Sequence, residues 1–290
     1  MNHKSLNPSV FEPCHPPVVL SIAGSDCSAG AGIQADLKTF EAFGCYGLTA
    51  VTCIVAEVPG EVRSIQAISP EVVRDQVAIL FEKFPIAAVK TGMLFSTPII
   101  EAVAEVLGNL KQRPPLIVDP VMIASSGDAL LESDAVMAYR KRIFPLATLL
   151  TPNLDELHFL VATSQHPRSL EEMRAAGQKL FAEVGTALLL KGGHLQGEEA
   201  IDLLLMTDDS EHLFKAPFVH GAETHGTGCT YSAAIAAALA QGAALPQAVA
   251  QAKDFITQAI TRGYHWEKVG ALCHHLNFSG KNSDEFKLKV

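Results

Sequence analysis

Val18-Val19-Leu20-Ser21-Ile22-Ala23, then Gly24-Ser25-Asp26-Cys27-Ser28-Ala29-Gly30-Ala31-Gly32, then Ile33-Gln34-Ala35-Asp36-Leu37-Lys38-Thr39-Phe40: the fold turns on this stretch. Its nearly continuous apolar start is the pattern of a strand covered on both faces. The glycine segment supplies a turn, after which Ile33, Leu37 and Phe40 recur on one face of a helix that Gly44 ends. Strand, loop and helix make one βα unit, and the chain repeats it. Apolar runs at 47–55, 87–91, 116–119, 148–150 and 186–191 predict further strands alternating with helical segments, the signature of a parallel sheet.

The helix starts are also legible. Ser69-Pro70 and Thr97-Pro98 each place a capping side chain before a proline, and Ser169 with Glu172 has the spacing of a capping box. Ala-rich helices are expected at 229–241 and 245–262. Segments 200–206 and 212–218 flank Asp208-Asp209-Ser210 and predict an antiparallel hairpin at the sheet edge. No linker divides the chain and no repeat recurs at a fixed period. The expectation is one α/β domain over 17–264, a three-layer α/β/α sandwich with a mostly parallel sheet and an antiparallel edge, between tails at 1–16 and 265–290.

A chain of 290 residues, 48% hydrophobic and 18% charged, has enough apolar content for a large core and too much for disorder. The formal net charge is -9 with both signs interleaved, so no basic face forms and nucleic acid is not an expected partner. The first residues lack the roughly 7–15-residue apolar stretch of a signal peptide. The longest apolar runs fall short of the roughly 18 residues of a membrane span. A cytoplasmic protein is expected. The six cysteines form no CxxC pair and no zinc-ligand spacing, so reduced thiols are expected.

His225-Gly226-Thr227-Gly228-Cys229-Thr230 opens the first Ala-rich helix. Glycines there let successive N–H groups converge at the positive end of a helix dipole, where phosphate oxygens fit. Leu190-Lys191-Gly192-Gly193 ends a strand with a lysine able to meet polyphosphate. Thr151-Pro152-Asn153-Leu154-Asp155-Glu156 follows another strand and begins a helix, so Asn153 and Glu156 share a face. Both suit Mg²⁺ and its waters, although helix capping alone would account for Asn153. A competing dinucleotide reading comes from Gly30-Ala31-Gly32-Ile33-Gln34-Ala35, a GxGxxA match with Glu57 downstream. Against it, Gly24 to Ala29 separates that match from its strand, and the Lys191 and Gly226 segments would have no task.

Taken in order, IAGSD (22–26), AGAGIQADLKTF (29–40), VAE (55–57), KTGML (90–94), VDPVM (118–122), SGDALL (126–131), TPNLDE (151–156), LLKGGH (189–194) and THGTGCT (224–230) resemble the hydroxymethylpyrimidine/phosphomethylpyrimidine kinases of the ribokinase superfamily, over about 18–262. The resemblance implies a ribokinase-like fold and ATP-dependent phosphorylation of 4-amino-5-hydroxymethyl-2-methylpyrimidine, first to the monophosphate and then to the diphosphate, in thiamin biosynthesis. It implies that Gly24, Asp36 and Glu57 contact the pyrimidine, with Met93 and Val121 lining the pocket. Packing alone would account for those last two. ATP is expected across Asn153, Glu156, Lys191 and the loop of Thr224, Gly226, Thr227 and Gly228. Mg²⁺ is assigned to Glu156, through a water, and to Asp119; relatives suggest a homodimer.

Ribokinase relatives carry an aspartate as general base where this chain has Cys229. A thiol at a helix N-terminus is expected to ionise below its free value of about 8.5, which would equip Cys229 to take a proton. Lys191, Gly226 and Gly228 would contribute charge neutralisation and alignment. The chain departs from the family pattern at Cys27 and Ala29 in the first loop and at Val58-Pro59 after Glu57. A pyridoxal kinase is the alternative within the superfamily, and a non-catalytic pyrimidine-binding regulator is the alternative outside enzymes.

Overall fold

Strand β1 (Val18–Asp26) divides its side chains between two apolar layers: Val18, Leu20 and Ile22 join one core, Val19 the other. Strand β7 (Ala187–Gly192) does the same, with Leu188 and Leu190 on one side and Ala187 and Leu189 on the other. Continuous apolar runs therefore mark strands buried on both faces, as the sequence suggests. The computed structural model describes residues 15–122, 133–193, Leu195 and 197–275. Cys14, His194 and the SGDALL stretch lie outside those residues.

A nine-stranded sheet runs in the order β3-β2-β1-β4-β5-β6-β7-β8-β9. Its parallel centre is β2 (Tyr46–Val58), β1, β4 (Ile86–Thr91), β5 (Leu116–Val118), β6 (Leu149–Leu150) and β7. Antiparallel strands close both margins: β3 (Glu61–Ala67) on one, β8 (Glu199–Leu205) and β9 (Glu211–Pro217) on the other.

Helices cover both faces. One face carries α2 (Pro70–Lys83), α3 (Thr97–Gly108), α4 (Ser133–Ala138), α5 (Leu154–Val161) and α6 (Leu170–Val184). The other carries α1 (Gly32–Ala42), α7 (Thr227–Ala240) and α8 (Leu245–Thr261). Residues 233–238 are all fully buried, and the small side chains of their five alanines let α7 lie close to both the sheet and α8. The result is the three-layer α/β/α sandwich with an antiparallel edge. No helix among the described residues is long and apolar enough to cross a membrane.

Several local expectations change. Strand β2 continues past residue 55 and folds back at Pro59-Gly60 into β3, a strand the sequence reading does not include. Strand β3 is largely exposed and polar, so burial leaves little imprint on it; Gly60, at φ +81°, makes the turn. Helix α3 is capped by Ser96 rather than Thr97, without a side-chain bond. Ser69 caps α2 as expected, accepting from Val72 N. Ser169 accepts from Glu172 N at 3.2 Å, but the Glu172 carboxylate takes Arg168 N instead of closing the box. Nor does the domain stop at 264. A small hairpin, β10 (Tyr264–Trp266) with β11 (Val269–Ala271), is followed by buried Leu272, Cys273 and His274, so the expected tail begins inside the fold.

Candidate active site

The parallel strands end along one edge of the sheet, where ligand sites of open α/β sheets lie. The loops after β1, β4, β5, β6 and β7 meet there with the N-terminus of α7.

Gly226 is the N-cap of α7, at φ +81°, and no side chain caps the helix. A Cβ on Gly226 would stand 1.8 Å from the Gly30 carbonyl oxygen, so only glycine fits against the first glycine loop. Thr227 Oγ1 donates to Thr224 O at 2.9 Å and closes the turn. Gly228 faces the other way: a Cβ there would lie 3.3 Å from Lys191 Nζ and 3.4 Å from Asp119 Oδ2. One turn of backbone thus touches the β1 loop on one side and a lysine on the other.

Lys191 donates to Asp119 Oδ1 at 2.9 Å. Asp119 also accepts from Thr151 Oγ1 at 3.2 Å and Ser232 Oγ at 3.3 Å. Burial works against the Lys191 charge, but the carboxylates of Asp119 and Glu156 carry its pKa above the usual lysine value. Asn153 and Glu156 form the reciprocal capping box of α5: Asn153 Oδ1 accepts from Glu156 N, and Glu156 Oε2 from Asn153 N, both at 2.8 Å. The other Glu156 oxygen accepts from Met122 N at 3.4 Å. Burial, with Asp119 nearby, pushes Glu156 up to about 7. Among the described residues no three His, Cys, Asp or Glu side chains are arranged to hold a metal. With Asp119 and Glu156 already bonded to protein donors, the residues suit a Mg²⁺ that keeps waters and is held chiefly by phosphate oxygens, not a protein-only cage.

On the acceptor side, a Cβ on Gly24 would lie 2.8 Å from Cys53 Sγ and 3.9 Å from Met93 Sδ, so Gly24 and Met93 share one small space. Thr52 Oγ1 donates to Met93 O at 2.6 Å and fixes that segment. Val121 has φ +42°, a strained conformation for a β-branched residue, three positions past the end of β5. Glu57 follows a β-bulge near the end of β2, and burial together with the Asp26 charge raises its pKa.

Two residues of this site have surroundings that differ from the sequence expectation. Asp36 has no exposed surface in this structure: Lys90 Nζ lies 2.9 Å from both of its oxygens, and Ser21 Oγ donates to it at 2.5 Å. Cys229, the third residue of α7, is not a low-pKa thiol. Burial pushes it up to about 11, against the opposing Lys90 charge and the Gly32 N–H. Desolvation outweighs the helix terminus here.

The sequence reading assigned no role to Lys90, Asp26 or His225. Lys90 had a signal, a cation closing an otherwise apolar strand. Asp26 and His225 had none, because their meeting spans 199 residues.

A family model described as phosphomethylpyrimidine kinase matches residues 26–273. A hydroxymethylpyrimidine/phosphomethylpyrimidine kinase of Streptomyces coelicolor is 43% identical over 253 residues, 87% of this chain and 91% of the relative. The Escherichia coli protein of that description is 43% identical, covering 84% and 90%. Among solved structures, a Bacillus subtilis pyridoxal kinase in an ADP complex superposes with a TM-score of 0.83 at 36% identity, over 90% of this chain and 98% of that one. A phosphomethylpyrimidine kinase of Clostridium difficile gives 0.72 at 37% identity, over 84% and 99%.

Proposed function

From the premise that the chain belongs to the phosphomethylpyrimidine kinase family, we propose that it transfers the γ-phosphoryl group of ATP to 4-amino-5-hydroxymethyl-2-methylpyrimidine and then to the resulting monophosphate, for thiamin biosynthesis. The observation that carries this reading is the two-sided anion loop, with Gly228 against Lys191 and Gly226 against the β1 glycine loop. A phosphoryl group held by that loop would lie between a lysine and the acceptor pocket.

In this reading Lys191 and the Thr224 to Gly228 backbone hold the phosphates, with Asn153 and Glu156 beside them. Mg²⁺, when bound, neutralises phosphate charge; Glu156, through a water, and Asp119 would hold it. Gly24, Met93, Val121 and Glu57 receive the pyrimidine. Cys229 takes the alcohol proton late in a reaction governed mainly by alignment and charge. A homodimer in the cytoplasm completes the proposal, and the β2–β3 hairpin exposes Ile54, Val58 and Val62 for such a contact.

Incubation with MgATP and the free pyrimidine, with products separated by mass, tests class, substrate and step number together. Sequential mono- and diphosphate products are expected. The likeness to pyridoxal kinases keeps one second reading open, and turnover of pyridoxal alone in the parallel assay would replace the first reading with it.

A further inference from the structure

Asp26 gathers five donors at the end of β1. Its Oδ1 accepts from Ser28 N at 2.7 Å; its Oδ2 accepts from Ser28 Oγ at 3.0 Å, Gly30 N at 3.1 Å and Ala31 N at 2.8 Å. Those four bonds shape the acceptor-side glycine loop from within. The fifth partner arrives from far along the chain: His225 Nε2 lies 3.0 Å from Asp26 Oδ2. His225 immediately precedes Gly226, and its ring lies against the same loop, since a Cβ on Gly30 would meet Cδ2 at 2.7 Å. The imidazole is almost fully buried, so this contact is sheltered from solvent.

We propose that His225 is a positioning residue that locks the acceptor loop to the anion loop, fixing the distance between acceptor oxygen and transferring phosphoryl group. The two loops, contributed by distant parts of the chain, also meet where Gly226 packs on Gly30 and where the Gly32 N–H faces Cys229. The His225–Asp26 bond adds a buried side-chain tie between them. Because it stands behind both loops, it acts equally on the alcohol and monoester steps, unlike a group that handles a proton.

The charges support the lock. Burial disfavours the imidazolium, but Asp26, Glu57 and Glu223 face it from β1, β2 and the preceding loop, and together they raise its pKa. Burial likewise works against ionised Asp26, yet hydrogen bonds from His225, Ser28 and Ala31 hold it down at about 2. A charged pair is thus favoured from both sides.

The inference rests on the proposed donor site, so its test carries a control for that site. His225→Ala is expected to lower kcat about 10²-fold in both half-reactions, the cost of a roughly 1 Å misplacement, with the KM for ATP nearly unchanged. His225→Gln, which keeps a donor, should recover part of the loss and guards against misfolding of the alanine variant. Combined with Asp26→Asn, His225→Ala should cost no more than either change alone. Unchanged kcat in both His225 variants, additive losses, or a fall in kcat that merely follows the folded fraction would overturn the lock. Lys191→Met provides the control. If it leaves ATP binding intact in calorimetry, the donor site is misplaced whatever His225 does; if it abolishes binding while both His225 variants stay active, only the lock fails.

Discussion

Lys90 and Asp36 form an ion pair with no exposed surface on either side chain, the ammonium 2.9 Å from each carboxylate oxygen. It joins the end of β4 to α1, near Cys229 in the first turn of α7. Burial is the largest influence on both groups, raising Asp36 and opposing the charge on Lys90. The Asp36 carboxylate and the nearby Cys229 and Asp119 then carry Lys90 above the usual lysine range.

Removing one member should therefore be worse than removing both. Lys90→Met leaves a buried carboxylate without a cation and is expected to cost about 3–5 kcal/mol. Adding Asp36→Leu should restore most of that loss. Urea unfolding midpoints measure both; a double variant as unstable as the single would show that the pair's charge is not what stabilises the interior.

A thiol raised to about 11 is protonated at neutral pH in the ligand-free protein. If its sulfur must accept the alcohol proton, the first phosphorylation should accelerate as pH rises from 7 to 9. The second should stay nearly flat, because the monoester oxygen is already ionised. Cys229→Ala should lower the first step by about 10²-fold or more and the second far less, abolishing the slope. Equal losses in the two half-reactions, assayed separately, would remove the proton-accepting role.

His274 predicts a pH effect on stability rather than on rate. It is buried beside Thr230, Nε2 lying 2.8 Å from Oγ1, and burial brings it down to about 4. Its folded value lies below its unfolded one, so the unfolded chain takes up the proton first. The native state is then fully favoured above about pH 6.5 and loses stability as pH falls towards 4, by on the order of 3 kcal/mol. Thermal melts across that window should show the loss, and His274→Asn should flatten it. A slope unchanged by the substitution would place the titration elsewhere.

The sequence by itself determined the parallel centre of the sheet, since strands buried on both faces read as nearly continuous apolar runs. It also disclosed the glycines that open α7 and the helix start at Asn153, because both signals are local. Only the tertiary structure decided that Asp36 pairs with Lys90, that desolvation raises the half-buried Cys229 thiol, and that His225 reaches Asp26. A residue's type states what it can bond; what it does bond, and whether water reaches it, depends on chain segments up to 199 positions away. Desolvation and partner charge, the two quantities that set those roles, exist only once the layers have closed.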